Sequence, residues 1–184
     1  MQVEYTHLLP YPRQQVWDIM LDTSVLARVM PGVEKFEPIG EDRFSVLIKL
    51  GVPTVKGTYS GTVEIVDKQP PNSYRLRGEG KGAPGWAKGE ALMTLVDEAG
   101  GTRVTANAQA QVGGTIAGVG QRMMEGVTKA MLREMFGSFE RELQGQKQEQ
   151  PSAAAFGFRL FLGMVRAFLQ RMFGRGDGQP RSPS

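Results

Sequence analysis

The chain has 184 residues, enough for one domain with a sizeable core and an appendage, and it contains no cysteine and one histidine, His7. Disulfides, thiolate metal sites, a cysteine nucleophile and two-histidine zinc sites are thereby excluded. The net charge of +3 divides unevenly: residues 1–144 hold 16 Lys and Arg against 17 Asp and Glu, whereas residues 145–184 hold 6 against 2, so the domain lacks the cation excess that nucleic-acid phosphates require.

The first residues, MQVEYTH, lack the basic and apolar regions of a secretory signal, and a cytoplasmic location is expected. Val3, Tyr5, His7 and Leu9 alternate with polar residues, which predicts a strand stopped by Pro10 and Pro12. A short helix runs from Pro12 through Leu21, and the Asp22-Thr23-Ser24 cluster caps a second one that ends at Pro31-Gly32. From Val33 to Val112 every segment reads as strand and every break as a turn, which predicts six strands in consecutive hairpins. After Gly113-Gly114 the period changes. Ile116, Gly120, Met124, Val127, Met131, Met135 and Phe139 share one stripe of a long helix, with Arg122, Glu125, Lys129 and Arg133 opposite.

The expected organisation is a domain over 1–144, a polar linker over 145–153, a basic amphipathic helix over 154–174 and a disordered tail over 175–184. The segment 154–173 is long enough to cross a bilayer, but Arg159 and Arg166 would each cost about 2.5–3.5 kcal/mol near its centre, roughly cancelling the apolar gain. These arginines lie seven apart on one face, and Phe158, Phe161, Val165, Phe168, Leu169 and Met172 lie opposite. Such a helix suits the surface of an anionic leaflet, Arg159 and Arg166 included, or packing on the domain or on a partner protein.

The most unusual stretch is RLRGEGKGAPGWAKGEA, residues 75–91. Strand parity puts Gly57 and Gly61 on the face of Tyr59, Val63 and Ile65, and Gly78, Gly80 and Gly82 on that of Tyr74 and Leu76, while Arg75, Arg77, Glu79 and Lys81 point the other way. Gly89 and Ala91 join Met93, and Ala106 and Ala108 join Val104, on the same inner face. Four adjacent strands thus present glycine and alanine to the helix that covers them. Two readings follow: the helix packs tightly on the sheet, or the space is a cavity of the roughly 300–1,000 Å³ typical of ligand sites. The candidate lining is Tyr5, Phe44, Val46, Ile48, Gly57, Tyr59, Gly61, Leu76, Gly78, Gly80, Gly89, Ala91, Met93, Ala106, Ala108, Gly120, Met123, Met124 and Val127. It is apolar and, through methionine, deformable, and suits a flat or chain-like hydrophobic molecule.

Catalytic motifs are not found. GEGKGA precedes a strand and lacks dinucleotide-fingerprint spacing, and GGTIAGVG lacks the GK[ST] ending of a phosphate loop. His7 reads as a hydrogen-bonded core or rim histidine, and Glu64, Glu79 and Glu90 have outward parity. No metal site is expected, nor an enzyme.

PRQQVWDIMLDTSVLARVMPGVEKFEPIG, GTYSGTVEI, YRLRGEGKGAPGWAKGEA and AQVGGTIAGVGQRMMEGV together resemble the carbon monoxide dehydrogenase CoxG family of the helix-grip, START-like (SRPBCC) superfamily, over about residues 2–140. The pieces most specific to it are Pro31-Gly32, Gly82 through Gly89, and Gly113 to Arg122. Trp86 stands where a small residue is expected. The resemblance implies an α+β helix-grip fold: a seven-stranded curved antiparallel sheet around a long C-terminal helix, with two short helices after the first strand and a hydrophobic cavity. It also implies association with a molybdenum hydroxylase of the CO dehydrogenase type, in membrane recruitment or electron delivery to quinone, and a quinone or lipid as ligand with no covalent cofactor. The leading expectation is a non-catalytic quinone carrier on the inner face of the plasma membrane. The alternative is an adaptor that recruits the hydroxylase to the membrane without carrying anything.

Overall fold

The structure, a computed structural model, describes residues 1–52 and 55–145. The expected amphipathic helix, the tail and all of the linker but Gly145 lie outside these residues. Strand β1 (Gln2–Leu9) leads into α1 (Arg13–Leu21) and α2 (Thr23–Val29). Six strands follow: β2 (Val33–Gly40), β3 (Arg43–Leu50), β4 (Gly57–Gln69), β5 (Ser73–Gly82), β6 (Gly85–Glu98) and β7 (Gly101–Gly114). A 3-10 turn at Thr115–Val119 precedes α3 (Gln121–Leu143). The strands form one antiparallel sheet in the order β1-β7-β6-β5-β4-β3-β2, so the first strand pairs with the last and β1 and β2 are the edges.

The short helices are built as their sequences dictate. In α1, Val16, Trp17 and Met20 fall on one face and are buried. Asp22 caps α2: its carboxylate accepts from the Ser24 and Val25 amides at 2.8 and 3.2 Å and from the Ser24 hydroxyl at 2.6 Å. Those bonds, the Ser24 hydroxyl's first, hold its pKa below the usual carboxylate value.

Two apolar clusters fill the space between helices and sheet. The larger unites Leu9, Val16, Trp17, Met20, Phe44, Tyr74, Met93, Leu95 and Val104 with Phe136 and Phe139 from the C-terminal half of α3. Full burial of such side chains supplies about 1.5–3 kcal/mol each. The Phe136 ring stacks on Tyr5 at 5.7 Å and on His7 at 5.4 Å, and Trp17 meets Tyr74 edge-on at 5.6 Å. Arg28 of α2 clamps Glu142 near the end of α3 with two parallel bonds of 3.0 Å. The smaller cluster, Val52, Val55, Ile116 and Val127, sits under the first turns of α3.

One expectation of the sequence needs correction. The stripe that starts at Ile116 is not a single helix, because Gly114 and Gly120 adopt φ of +83° and +88°, which no α-helix can accommodate. Ile116 nevertheless keeps its place on the buried side. Its amide and the Thr115 hydroxyl both donate to the Pro84 carbonyl, at 3.1 and 2.6 Å, fastening the 3-10 turn to the β5–β6 hairpin.

A hydrophobic cavity between sheet and helix

Between the curved sheet and the first half of α3 lies a cavity of about 300 Å³. Its walls come from β3 (Val46, Ile48, Leu50), the loop before β4 (Val55), β4 (Tyr59, Gly61, Val63), β5 (Gly78, Gly80), β6 (Ala87), the 3-10 turn (Ile116) and α3 (Met124, Val127, Thr128, Met131). Ser60, Thr62 and Glu79 border it from positions whose side chains alternate to the outer face. The two polar side chains on the inner wall are both engaged. Tyr59 donates to the Val55 carbonyl at 2.9 Å, and Thr128 donates to the Met124 carbonyl at 2.9 Å. Burial raises the pKa of the Tyr59 phenol, which stays protonated at neutral pH. The wall therefore offers an occupant dispersion contact and almost no free hydrogen-bonding group.

Of the candidate residues, Val46, Ile48, Tyr59, Gly61, Gly78, Gly80, Met124 and Val127 line the cavity. The others lie elsewhere. Phe44, Met93 and Ala106 are buried in the larger cluster, with Tyr5, Leu76 and Ala91 packed against it, because Phe136, Phe139 and Trp17 fill that end of the sheet. Gly57 approaches Pro84, Gly89 lies against the β7 backbone, and Ala108 and Met123 are half-buried outside the lining. Gly120 is exposed at the start of α3. The candidate set missed Leu50, Val55, Val63, Ala87, Ile116, Thr128 and Met131. Ile116 and Met131 share the helical stripe of Met124, so that stripe alone could have found them.

The glycines do not simply empty the interior. A Cβ on Gly61 would overlap the Glu79 carbonyl and lie 2.7 Å from the Gly80 Cα; one on Gly89 would overlap the Gln109 carbonyl and lie 3.0 Å from the Ala110 Cα. These residues let neighbouring strands fold over one another, and the sheet curls where they sit. At Gly78 and Gly80 the nearest atoms are 3.7 and 3.5 Å away, ordinary contact distances, so only these two act as absent side chains.

His7 makes no hydrogen bond through its Nε2 and does not line the cavity. Its Nε2 is buried with no hydrogen-bond partner, 3.9 Å from the nearer Glu140 carboxylate oxygen. Burial lowers its pKa, with Glu140 opposing part of the effect. Among the described residues no three His, Asp or Glu side chains cluster as metal ligands, and no helix is long and apolar enough to cross a membrane.

Residues 9–144, the two short helices, the whole meander and α3, match the carbon monoxide dehydrogenase CoxG family. The chain belongs to that family. Membership connects it with CO dehydrogenase, as an accessory subunit and not as the catalytic one. A search of curated proteins finds no match. Among solved structures, a conserved protein from Geobacillus kaustophilus is 30% identical, with a TM-score of 0.77 over 80% of this chain and 98% of that one. A protein from Thermus thermophilus (16% identity, TM-score 0.60, 80% and 100% covered) and one from Mycobacterium smegmatis (19%, 0.55, 78% and 91%) share the fold. These likenesses bear out the CoxG resemblance and the helix-grip architecture read from the sequence.

Proposed function

We propose that this CoxG-family domain is a non-catalytic carrier that takes a hydrophobic molecule, a prenylated quinone, into the cavity under α3 and serves a molybdenum hydroxylase of the CO dehydrogenase type at the cytoplasmic membrane surface. The observation that carries the reading is the wall itself: an apolar chamber of about 300 Å³ whose two inward polar side chains are both spent on backbone carbonyls. That size is at the lower end of ligand pockets, suited to a ring or a short prenyl stretch. Met124 and Met131 give the helix side a wall that adapts to a guest's outline. No side chain on the inner wall supplies a free nucleophile, acid or base, which favours carriage over conversion.

The test is solvent extraction of the purified full-length protein followed by mass spectrometry. A prenylated quinone or lipid in near-stoichiometric amount is the expected result. Ala87→Phe, which projects a ring into the chamber, should abolish its recovery while the protein stays folded. Repeated isolation without any hydrophobe, together with failure to take up added menaquinone or ubiquinone, overturns the carrier. A stripped protein that still captures the hydroxylase from lysate points instead to the adaptor.

A further inference from the structure

The hairpin topology gives the sheet two ends that differ in charge. Residues 41–42, 67–72 and 97–100, the turns at one end and the strand ends beside them, hold Glu41, Asp42, Asp67, Asp97, Glu98 and Lys68, and the carboxylates there are largely paired: Asp42 with Lys68, Asp67 with Arg75, Asp97 with Arg13 and Glu98 with Arg103. The other end is made by residues 50–52, 55–59, 80–88 and 111–124, which border the cavity and are joined at Pro84. Those segments hold Lys56, Lys81, Lys88 and Arg122 and no carboxylate. Lys88 lies 3.8 Å from Glu79, but among the described residues no ion pair engages Lys56, Lys81 or Arg122, and all three are exposed. A domain of net charge −1 thus turns three cations without an ion pair among the described residues to solvent beside its cavity, next to the Lys88–Glu79 pair.

Trp86 stands on that end, 46% exposed. It pairs across the hairpin with Lys81, and its ring lies over Gly113, where a Cβ would come within 2.6 Å of the indole Cζ2. The ring is held in place by backbone contact without being covered. An indole fixed in the open among cations is what a membrane–water interface favours: the ring sits at headgroup level and the ammonium groups meet lipid phosphates. The cations stand on three separate segments: Lys81 and Lys88 share a groove with Trp86 and Glu79, while Lys56 and Arg122 lie outside it, a spread that suits a diffuse anionic surface better than a bidentate partner.

We propose that this end of the domain docks on an anionic lipid bilayer, with Trp86 at the headgroup level and Lys56, Lys81 and Arg122 facing the phosphates, which sets the cavity beside the membrane. The choice of a bilayer rests on the carrier reading above. It does not rest on the segment beyond Gly145, because α3 starts at the basic end and by Glu140 has reached His7, near the acidic end.

The chain has two tryptophans, and Trp17 is 5% exposed within the core, so a fluorescence response to vesicles reports Trp86. Full-length protein is mixed with vesicles of phosphatidylglycerol and phosphatidylcholine whose acyl chains are brominated near the headgroup. Quenching is expected with these vesicles, not with phosphatidylcholine alone, and is expected to fade at about 0.5 M salt. Lys56→Gln with Lys81→Gln should lower partitioning about fivefold per cation, roughly 25-fold together. Trp86→Phe should remove the signal and leave Trp17 emission unchanged. If vesicles capture the protein while Trp86 stays unquenched and the double variant partitions equally, the docking is wrong and the carrier, judged by extraction, is untouched. If the double variant instead loses a co-purifying acidic protein without any lipid response, the bilayer is the wrong surface. Quenching in a protein that never yields a hydrophobe supports the docking and rejects the carrier.

Discussion

The hydroxyl of Tyr59 donates to the carbonyl of Val55, four residues earlier, and so ties the loop that enters β4 to the wall of the cavity. Val55 is buried against Val52, Ile116 and Val127, and its amide bonds the Val52 carbonyl at 3.0 Å. Tyr59→Phe keeps the ring and removes the bond, and should cost about 1 kcal/mol. The loss should be local: hydrogen exchange at the Val55 amide should accelerate well before exchange in β6 and β7.

The glycines of the curl are not equivalent, and substitution should separate them. Gly61→Ala pushes a methyl into the Glu79 carbonyl and the Gly80 backbone, and should destabilise by about 3 kcal/mol. Gly78→Ala meets nothing nearer than 3.7 Å and should change stability by less than about 1 kcal/mol. Urea denaturation of the two variants makes the comparison, and equal midpoints would contradict the backbone account of the curl.

His7 sets a pH dependence with a defined sign. Burial lowers its folded pKa, so the unfolded chain binds the proton more readily than the native one. Its contribution to stability is complete above the unfolded value of about 6.5 and is lost as pH falls below it. The urea midpoint should therefore drop between about pH 7 and pH 5, and His7→Phe, which keeps the stack on Phe136, should flatten that slope.

Arg28 holds the end of α3 through Glu142, whose side chain is only 7% exposed. Arg28→Ala removes both guanidinium bonds from that carboxylate and should cost about 2 kcal/mol, less than a fully buried pair because Arg28 is itself a third exposed. Arg28→Lys should recover part of the loss, since a single ammonium cannot reproduce the fork. Thermal melts of the two variants check the order.

Strand parity read along residues 57–112 assigned the inner face correctly because the hairpin turns are marked by Gly or Pro and the period of two is broken only near the end of β4, where Asp67 has φ of +53° and the register shifts beyond the cavity. Phe44, Met93 and Ala106 were misplaced for a different reason. They have the right parity, but whether an inward residue meets a cavity or a helix depends on where α3 crosses, and that is fixed by Phe136, Phe139 and the Arg28–Glu142 clamp, contacts far apart in sequence. The break at Gly120 was hidden because Ile116 keeps the helical phase across it. The meaning of Gly61 and Gly89 was likewise invisible, since an inward glycine looks the same whether it leaves space or permits two backbones to touch.

That last distinction has an evolutionary consequence. On the strand side the chamber's outline is drawn at Gly61 by main-chain atoms, where a larger residue would run into the Glu79 carbonyl and the Gly80 backbone. Selection for a differently shaped guest has little to work with at that point. It is left with the side chains around it and with Gly78 and Gly80, where a methyl has room, so divergence in cargo among relatives should spare Gly61 and fall on those neighbours.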